Sequence, residues 1–93
     1  MNKLPGKYTI IEGMNPDGST YGGKVIITTD GVTYNFFWRI SGGDTYRGKG
    51  VLRGDILTVD WGQKYPVIYR VADDGTLRGR WANGRGSEYL MPD

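Results

Sequence analysis

Closely spaced turn signals are the feature that most constrains this chain. Glycine, asparagine and aspartate recur about every eight to twelve residues, and aromatic and β-branched residues fill the segments between them. The segment 15–18, Asn-Pro-Asp-Gly, suits a type I turn, because Asn favours its first position, Pro its second and Gly its fourth. No window shows the spacing of an amphipathic helix. The pattern predicts eight strands over residues 7–14, 20–29, 32–41, 45–53, 56–61, 65–72, 76–82 and 86–91.

Alternation within these segments predicts which side chains face the core. It is clearest in the third strand, where one face carries Val32, Tyr34, Phe36, Trp38 and Ile40. The same alternation places Tyr65, Tyr69 and further aromatic residues inward, together with several glycines: Gly23, Gly48, Gly50 and Gly79. A glycine within a strand indicates sharp curvature or a neighbouring ring that covers the gap.

These features predict an all-β protein with one domain spanning residues 1–93. The strands are expected to form an antiparallel up-and-down meander closed into a small barrel. A β-sandwich is the alternative architecture. Closure is favoured because it removes the edge strands that so small a sheet would otherwise expose.

The composition excludes several classes of site. The chain has no cysteine and no histidine, which removes disulfides, thiolate nucleophiles, Ser-His pairs and the commonest metal ligand. The oxygen-rich turn at 15–19 does not continue as a calcium loop, since Ile26 stands where a bidentate glutamate is required. We therefore predict no metal, no cofactor and no covalent catalysis.

Charge and hydropathy give expectations about the cellular location of the protein. Twelve Lys and Arg against ten Asp and Glu leave a net charge of only +2. No apolar run reaches the roughly 18 residues of a membrane span, and residues 1–6 are too short for a signal peptide. We expect a cytoplasmic protein as the sequence stands, or a periplasmic or secreted one if it is the mature form of an exported chain.

Outward-facing basic and aromatic residues suggest a surface for a macromolecular partner. Phe37 breaks the alternation of its strand and is the one clear aromatic residue on the outer face. Because aromatic and arginine side chains dominate interface energetics, the predicted partner-binding residues are Phe37, Arg39, Arg47, Lys49, Arg78 and Arg80. Nucleic acid is the less favoured partner, since a single outer ring makes a poor stacking platform. The leading hypothesis is a non-enzymatic binding module that presents a rigid barrel surface to a protein.

The inward aromatic residues suggest a different function. They would crowd a bore that, with eight strands, is just wide enough to be filled by side chains or to hold one small ligand. A filled bore is the simpler expectation. The alternative is a small-ligand carrier with an aromatic-lined mouth, for which the candidate residues are Trp38, Tyr46, Trp61, Tyr69 and Trp81.

Two carboxylates offer a third hypothesis. Glu12 in the first strand and Glu88 in the last become neighbours if the barrel closes. A carboxylate pair could perform acid and base chemistry of the glycosidase kind. We favour the interpretation that both are solvated residues on the outer face near strand ends, and we name no catalytic residue.

The order of aromatic, glycine and turn residues resembles that of a known family. The matching elements are Gly6-x-Tyr8, Asn15-Pro16-Asp17-Gly18-Ser19-x-Tyr21-x-Gly23, Tyr34-x-Phe36-x-Trp38-x-Ile40, Tyr46-x-Gly48-x-Gly50, Leu57-x-Val59, Asp74-Gly75-Thr76-Leu77-x-Gly79-x-Trp81 and Glu88. They resemble small bacterial proteins, many of them alphaproteobacterial, that are labelled fibronectin-binding. The resemblance implies a calycin-like barrel with the strand texture of streptavidin. It supplies no functional residues, and biotin binding is not transferred to this chain.

Overall fold

The computed structural model describes residues 4–93, which form a closed antiparallel barrel. The strands are β1 Gly6–Met14, β2 Thr20–Thr29, β3 Tyr34–Ile40, β4 Thr45–Arg53, β5 Ile56–Asp60, β6 Val67–Val71, β7 Leu77–Trp81 and β8 Gly86–Pro92. Each strand pairs with the next along the chain, and β8 pairs with β1 to close the sheet. The predicted all-β class and eight-stranded meander are confirmed, and the barrel is closed rather than split into a sandwich. Within the described residues there is no helix long and apolar enough to cross a membrane.

The two ends of the barrel differ in how they are filled. At the end where β1 begins, Leu4 is buried below the strands, and its carbonyl oxygen accepts a 2.7 Å hydrogen bond from the Tyr8 hydroxyl. We call this the closed end. The buried hydrophobic core comprises Leu4, Tyr8, Ile10, Val25, Ile27, Phe36, Trp38, Leu57, Val59, Val67, Tyr69, Val71, Leu77 and Leu90. The opposite end, where β1 finishes, carries the hairpins at 15–19, 41–44, 61–66 and 82–85. We call it the open end.

Glycines face the interior where an aromatic ring lies against the sheet. A Cβ atom built on Gly79 would lie 2.6 Å from the Tyr69 ring, and one on Gly86 would lie 2.4 Å from the Trp81 ring. These separations are shorter than any ordinary carbon contact, so only glycine fits. The expectation that a neighbouring ring covers an inward glycine is confirmed at Gly79. At Gly50 the side chains of Leu57 and Val59 fill the space instead, and at Gly23 the backbone of Arg39 does so.

Two of the residues predicted to face inward do not. Val32 lies in the turn before β3 and is 80% exposed, because the Asp30 carboxylate binds the backbone N–H groups of Thr33 at 2.7 Å and Val32 at 2.8 Å. Both hydrogen bonds lower the pKa of Asp30, and the bond from Thr33 has the larger effect. Tyr65 lies in the hairpin before β6, where its carbonyl oxygen accepts a 2.9 Å bond from the Trp61 indole. In both places local hydrogen bonding of the turn overrides the alternation.

A β-bulge interrupts β1. Its pairing with β8 steps from Ile11 opposite Tyr89 to Met14 opposite Ser87, so that Glu12 and Gly13 both stand opposite the single residue Glu88. Glu12 has a φ of 56°, an uncommon value for a residue other than glycine. The bulge shifts the alternation by one position: Glu12 is exposed and Gly13 is buried facing the interior.

Candidate functional site

A cavity of about 220 Å³ occupies the open end of the barrel. The four hairpins of this end surround its mouth, and the inward residues of the strand ends form its walls and floor. Its lining residues are Asn15, Tyr21, Trp38, Ile40, Asp44, Tyr46, Trp61, Val67, Trp81 and Glu88. The bore is filled by side chains at the closed end and holds a cavity at the open end, so the expectation of a filled bore applies to the closed end alone.

Four aromatic rings form a continuous wall around the cavity, with each ring roughly perpendicular to the next. Tyr46 meets Trp61 at 72°, Trp61 meets Trp81 at 83°, and Tyr21 meets Trp81 at 70°, with centroids 5.8 to 6.2 Å apart. We call Tyr46, Trp61, Trp81 and Tyr21 the aromatic wall. Edge-to-face contact is a favourable arrangement for such rings. It leaves ring faces turned in different directions at the mouth.

A buried carboxylate lies at the floor of the cavity. Glu88 is only 7% exposed. Its Oε1 accepts a 2.6 Å hydrogen bond from the Tyr21 hydroxyl, and its Oε2 accepts bonds from the Tyr69 hydroxyl and, at 3.1 Å, from the Trp38 indole. The interpretation of Glu88 as a solvated outer residue is wrong.

Two indole groups extend this hydrogen-bond network. The Trp81 N–H donates to the Tyr21 hydroxyl at 3.1 Å, and the Trp38 N–H also reaches the Tyr69 hydroxyl at 3.1 Å. Each tyrosine thus accepts from a tryptophan and donates to Glu88. Hydrogen bonds arranged in series polarise one another. None of the buried side-chain nitrogen or oxygen atoms of residues 4–93 lacks a partner.

The position of Glu88 follows from a row of five residues on five neighbouring strands. Tyr69 on β6 pairs with Gly79 on β7, and Gly79 pairs with Glu88 on β8. On the other side, Gly13 in the bulge of β1 stands opposite Glu88 and pairs with Tyr21 on β2. We call Tyr69, Gly79, Glu88, Gly13 and Tyr21 the Glu88 row.

The glycines of the Glu88 row allow both tyrosines to reach the carboxylate. The Tyr69 ring lies over Gly79, and the Tyr21 ring lies 2.8 Å from where a Cβ of Gly13 would stand. Each hydroxyl therefore extends across one intervening strand to one oxygen of Glu88. Any side chain at either glycine would occupy the space that the ring needs.

Burial and the glutamate charge act on both tyrosines in the same direction. Burial raises the pKa of Tyr21, and the negative charge of Glu88 and the hydrogen bond to it raise it further. The pKa of the fully buried Tyr69 lies well above its usual value for the same reasons. Burial has the largest effect, and the charge of Glu88 and the hydrogen bond to it add to it. Both hydroxyls therefore remain protonated and act as donors to Glu88.

The structure brings together most of the residues predicted to bind a ligand. Trp38, Tyr46, Trp61 and Trp81 all line the cavity. Tyr69 does not line it, because it lies beneath the floor with its ring stacked on Phe36 at 5.3 Å. Six further lining residues were not among the predicted ligand-binding residues, namely Asn15, Tyr21, Ile40, Asp44, Val67 and Glu88. Glu88 alternates with Gly86 and Leu90, and this parity is the signal that would have placed it inside.

The predicted partner-binding residues lie on the outer face in two groups. On β3 and β4, Phe37 pairs with Arg47, whose guanidinium lies 4.5 Å from the centre of the ring, and Arg39 and Lys49 are exposed beside them. On β7, Arg78 and Arg80 are exposed, and Arg78 lies over the Tyr89 ring at 5.3 Å. The strands β5 and β6 separate the two groups.

The two glutamates of the carboxylate-pair hypothesis do not share the cavity. Glu88 lies inside the barrel, whereas Glu12 is exposed on the bulge and is not among the lining residues. Among residues 4–93 no three Asp or Glu side chains lie together as a metal site would require. Asp44, the other carboxylate of the cavity lining, is exposed at its rim.

No model of a known protein family matches the chain, and no curated protein matches it either. The resemblance to proteins labelled fibronectin-binding therefore stays an expectation from the sequence.

Proposed function

We propose that this protein binds a small organic molecule in the open end of its barrel and does not transform it. The observation that carries the proposal is the cavity at the mouth, which combines aromatic walls with one buried carboxylate at its floor. Small-molecule sites are typically concave, largely apolar and equipped with a few fixed polar groups that orient the ligand. An eight-stranded barrel has room inside for one small ligand.

The arrangement around Glu88 supports binding rather than catalysis. Its two oxygens are held by three donors from the protein, which fix the carboxylate in place. Acid and base catalysis by carboxylates commonly uses two of them on either side of the reacting bond. The second carboxylate of this cavity, Asp44, is solvent-exposed at the rim.

The cavity supplies its own reporter for an experiment. All three tryptophans of the chain line it, so intrinsic fluorescence reports on occupancy. We would titrate the protein with a panel of small cationic, neutral and anionic compounds and follow tryptophan emission together with ligand-observed NMR. At least one class is expected to give a saturable change that Trp61→Leu weakens about tenfold, the effect of losing roughly 1.4 kcal/mol of binding free energy.

Phe37→Ala is the matched control for this variant, because it removes an aromatic ring from the outer face instead of the cavity. Its binding curve is expected to coincide with that of the unmodified protein. The proposal is refuted if no compound changes the emission, or if Trp61→Leu and Phe37→Ala bind every compound alike.

A protein partner on the outer face is the second proposal. It is supported by the pairing of the half-buried Phe37 with the exposed Arg47 on the outer face, since aromatic and arginine residues contribute most to interfaces. Binding to immobilised fibronectin at low and high salt tests it. A signal that survives high salt and is lost in the Phe37→Ala, Arg39→Ala double variant supports this second proposal. A signal that vanishes with salt indicates nonspecific adsorption of a basic surface and contradicts it.

A further inference from the structure

The cavity carries negative charge in a chain whose net charge is positive. Lys and Arg outnumber Asp and Glu by twelve to ten over the whole sequence. Among the residues that the structure describes, the cavity lining nevertheless contains the two carboxylates Glu88 and Asp44 and neither lysine nor arginine. The charge of the lining is thus opposite in sign to the net charge of the chain.

Within residues 4–93, Glu88 has hydrogen-bond donors but no ion-pair partner. The ion pairs among the described residues join Lys24 to Asp93 and Arg70 to Asp55, and both lie on the exposed surface. Taking a carboxylate out of water is costly unless a charge of opposite sign or enough hydrogen bonds compensate it. A carboxylate has about four lone-pair directions, and three donors occupy them here. One acceptor direction on Oε1 has no donor among the described residues, and no lysine or arginine of the described cavity lining neutralises the charge.

The aromatic wall is suited to the same kind of ligand. The faces of aromatic rings carry partial negative charge, and organic ammonium groups are attracted to them, most strongly when water is excluded. The interplanar angles of 70° to 83° set successive rings edge to face instead of stacking them flat against one another, and all four rings line the same cavity as Glu88. Aromatic rings and a carboxylate around one small cavity are the components that a compact organic cation requires.

We infer that the cavity binds a small organic ammonium group, held between the aromatic wall and the Glu88 carboxylate. This inference rests on the proposed function, since it names the ligand class of the same cavity. The volume of about 220 Å³ equals that of about seven water molecules at roughly 30 Å³ each, which admits a methylated ammonium with a short tail. The group belongs to a free small molecule or to a methylated lysine side chain, and the two sources share this chemistry.

Choline and 3,3-dimethyl-1-butanol test the inference on the unmodified protein. The two compounds have the same shape, but a carbon atom replaces the charged nitrogen in the second. Both are titrated against tryptophan emission and by calorimetry, with sodium chloride at matching concentration as the ionic-strength control. We expect choline to bind at least tenfold more tightly than its neutral isostere.

Two variants remove the charges separately. Glu88→Gln keeps the shape of the side chain and is expected to weaken choline binding at least tenfold while leaving the binding of the neutral isostere within about twofold. Asp44→Asn, at the exposed rim, is expected to weaken it about two- to fivefold. Because Glu88 belongs to the buried network, the near-ultraviolet circular dichroism of its variant is compared with that of the unmodified protein. If that variant does not fold, the ligand pair and Asp44→Asn still decide the question.

The outcomes separate this inference from the proposed function. Equal binding of choline and its isostere overturns the ammonium inference but leaves a small-ligand site in place. Absence of choline binding, with an anionic or neutral compound of the wider panel binding instead, does the same. Absence of binding by every compound overturns both. A peptide bearing trimethyl-lysine that binds more tightly than choline, beside an unmodified lysine peptide that does not, supports the inference and identifies the lysine side chain as the source.

Discussion

Replacing Gly79 by alanine tests whether the Glu88 row determines the shape of the interior. A Cβ at this position would lie 2.6 Å and 2.7 Å from two carbons of the Tyr69 ring. That ring cannot move away freely, because it is fully buried, stacks on Phe36 and donates its hydroxyl to Glu88. The added methyl group must therefore displace the ring or the strand beneath it.

The expected loss of stability can be worked out from these contacts. Overpacking a core costs about 1–3 kcal/mol, and losing a hydrogen bond to a charged group costs about 1.5–3 kcal/mol. Alanine recovers about 0.5–1 kcal/mol, because glycine is unfavourable within a strand. The net loss is about 1.5–5.5 kcal/mol, out of a total of about 5–14 kcal/mol expected for a domain of 93 residues.

Urea denaturation followed by tryptophan emission measures this loss. Gly22→Ala is the matched control, because Gly22 also lies within a strand but the nearest atom to a Cβ there is the Ser41 hydroxyl oxygen at 3.9 Å. The control is expected to match the unmodified protein or to gain up to about 1 kcal/mol. If Gly79→Ala also stays within about 0.5 kcal/mol of the unmodified protein, the close approach of ring and glycine does not constrain the fold.

A double-mutant cycle separates the clash from other effects of the same substitution. With Tyr69→Leu in the background, the ring is absent and Gly79→Ala is expected to cost less than about 1 kcal/mol. The coupling energy between the two positions should then exceed about 1 kcal/mol, as it does for residues in direct contact. Additive effects would refute the assignment of the loss to the Tyr69 ring.

Three further predictions concern the network and the closed end. Tyr69→Phe is expected to lower the free energy of unfolding, measured by urea denaturation, by about 1.5–3 kcal/mol. Tyr21→Phe is expected to lower it less, because Tyr21 borders the cavity, where water can replace its hydroxyl. Equal losses for the two variants would contradict this prediction. Because the folded state raises the pKa of both tyrosines, their contribution is fully present below about pH 10, the pKa of an exposed tyrosine, and is lost as the pH rises toward their folded pKa values. Stability should therefore fall above pH 10 by up to about 1.4 kcal/mol per pH unit for each tyrosine, and Tyr69→Phe should show a shallower fall than the unmodified protein. Leu4→Ala is expected to cost about 2–5 kcal/mol, since this side chain is only 1% exposed; an unchanged midpoint would show that the closed end does not need it.

Most of the fold could be predicted because the strands carry their signals locally. Turn residues mark the hairpins, and alternation indicates which residues face inward, as in β3, where Phe36 and Trp38 are buried and Arg39 is exposed. Prediction failed at the strand ends, where side-chain hydrogen bonds can extend a turn by one residue at the expense of the strand. The hydrogen bond from the Val32 N–H to the Asp30 carboxylate places Val32 in the turn in this way. Leu4 precedes the first predicted strand, and it is buried because it covers the closed end of the complete barrel.

Only part of the candidate site could be predicted from the sequence, and the reason differs from that at the strand ends. Large inward aromatic residues are visible in the alternation, and Trp38, Tyr46, Trp61 and Trp81 followed from it. Glu88 was not recognised, because a charged residue in a strand is far more often exposed than buried. Its burial depends on partners that are distant in sequence, namely Tyr69 and Tyr21, which only the closed register of the sheet brings to its two oxygens.

The unequal ends of the barrel bear on why Glu88 and the aromatic wall are present at all. A barrel of this size would be more stable with its open end packed by aliphatic side chains, since a small domain has little apolar surface to bury. Instead, the open end retains a cavity, a buried carboxylate and a 43% exposed Tyr46. Natural proteins accept such local losses of stability where a site requires them. Under the proposed function, the Glu88 row meets this requirement: two glycines admit two tyrosines, the tyrosines satisfy the carboxylate, and the rings above it line the cavity.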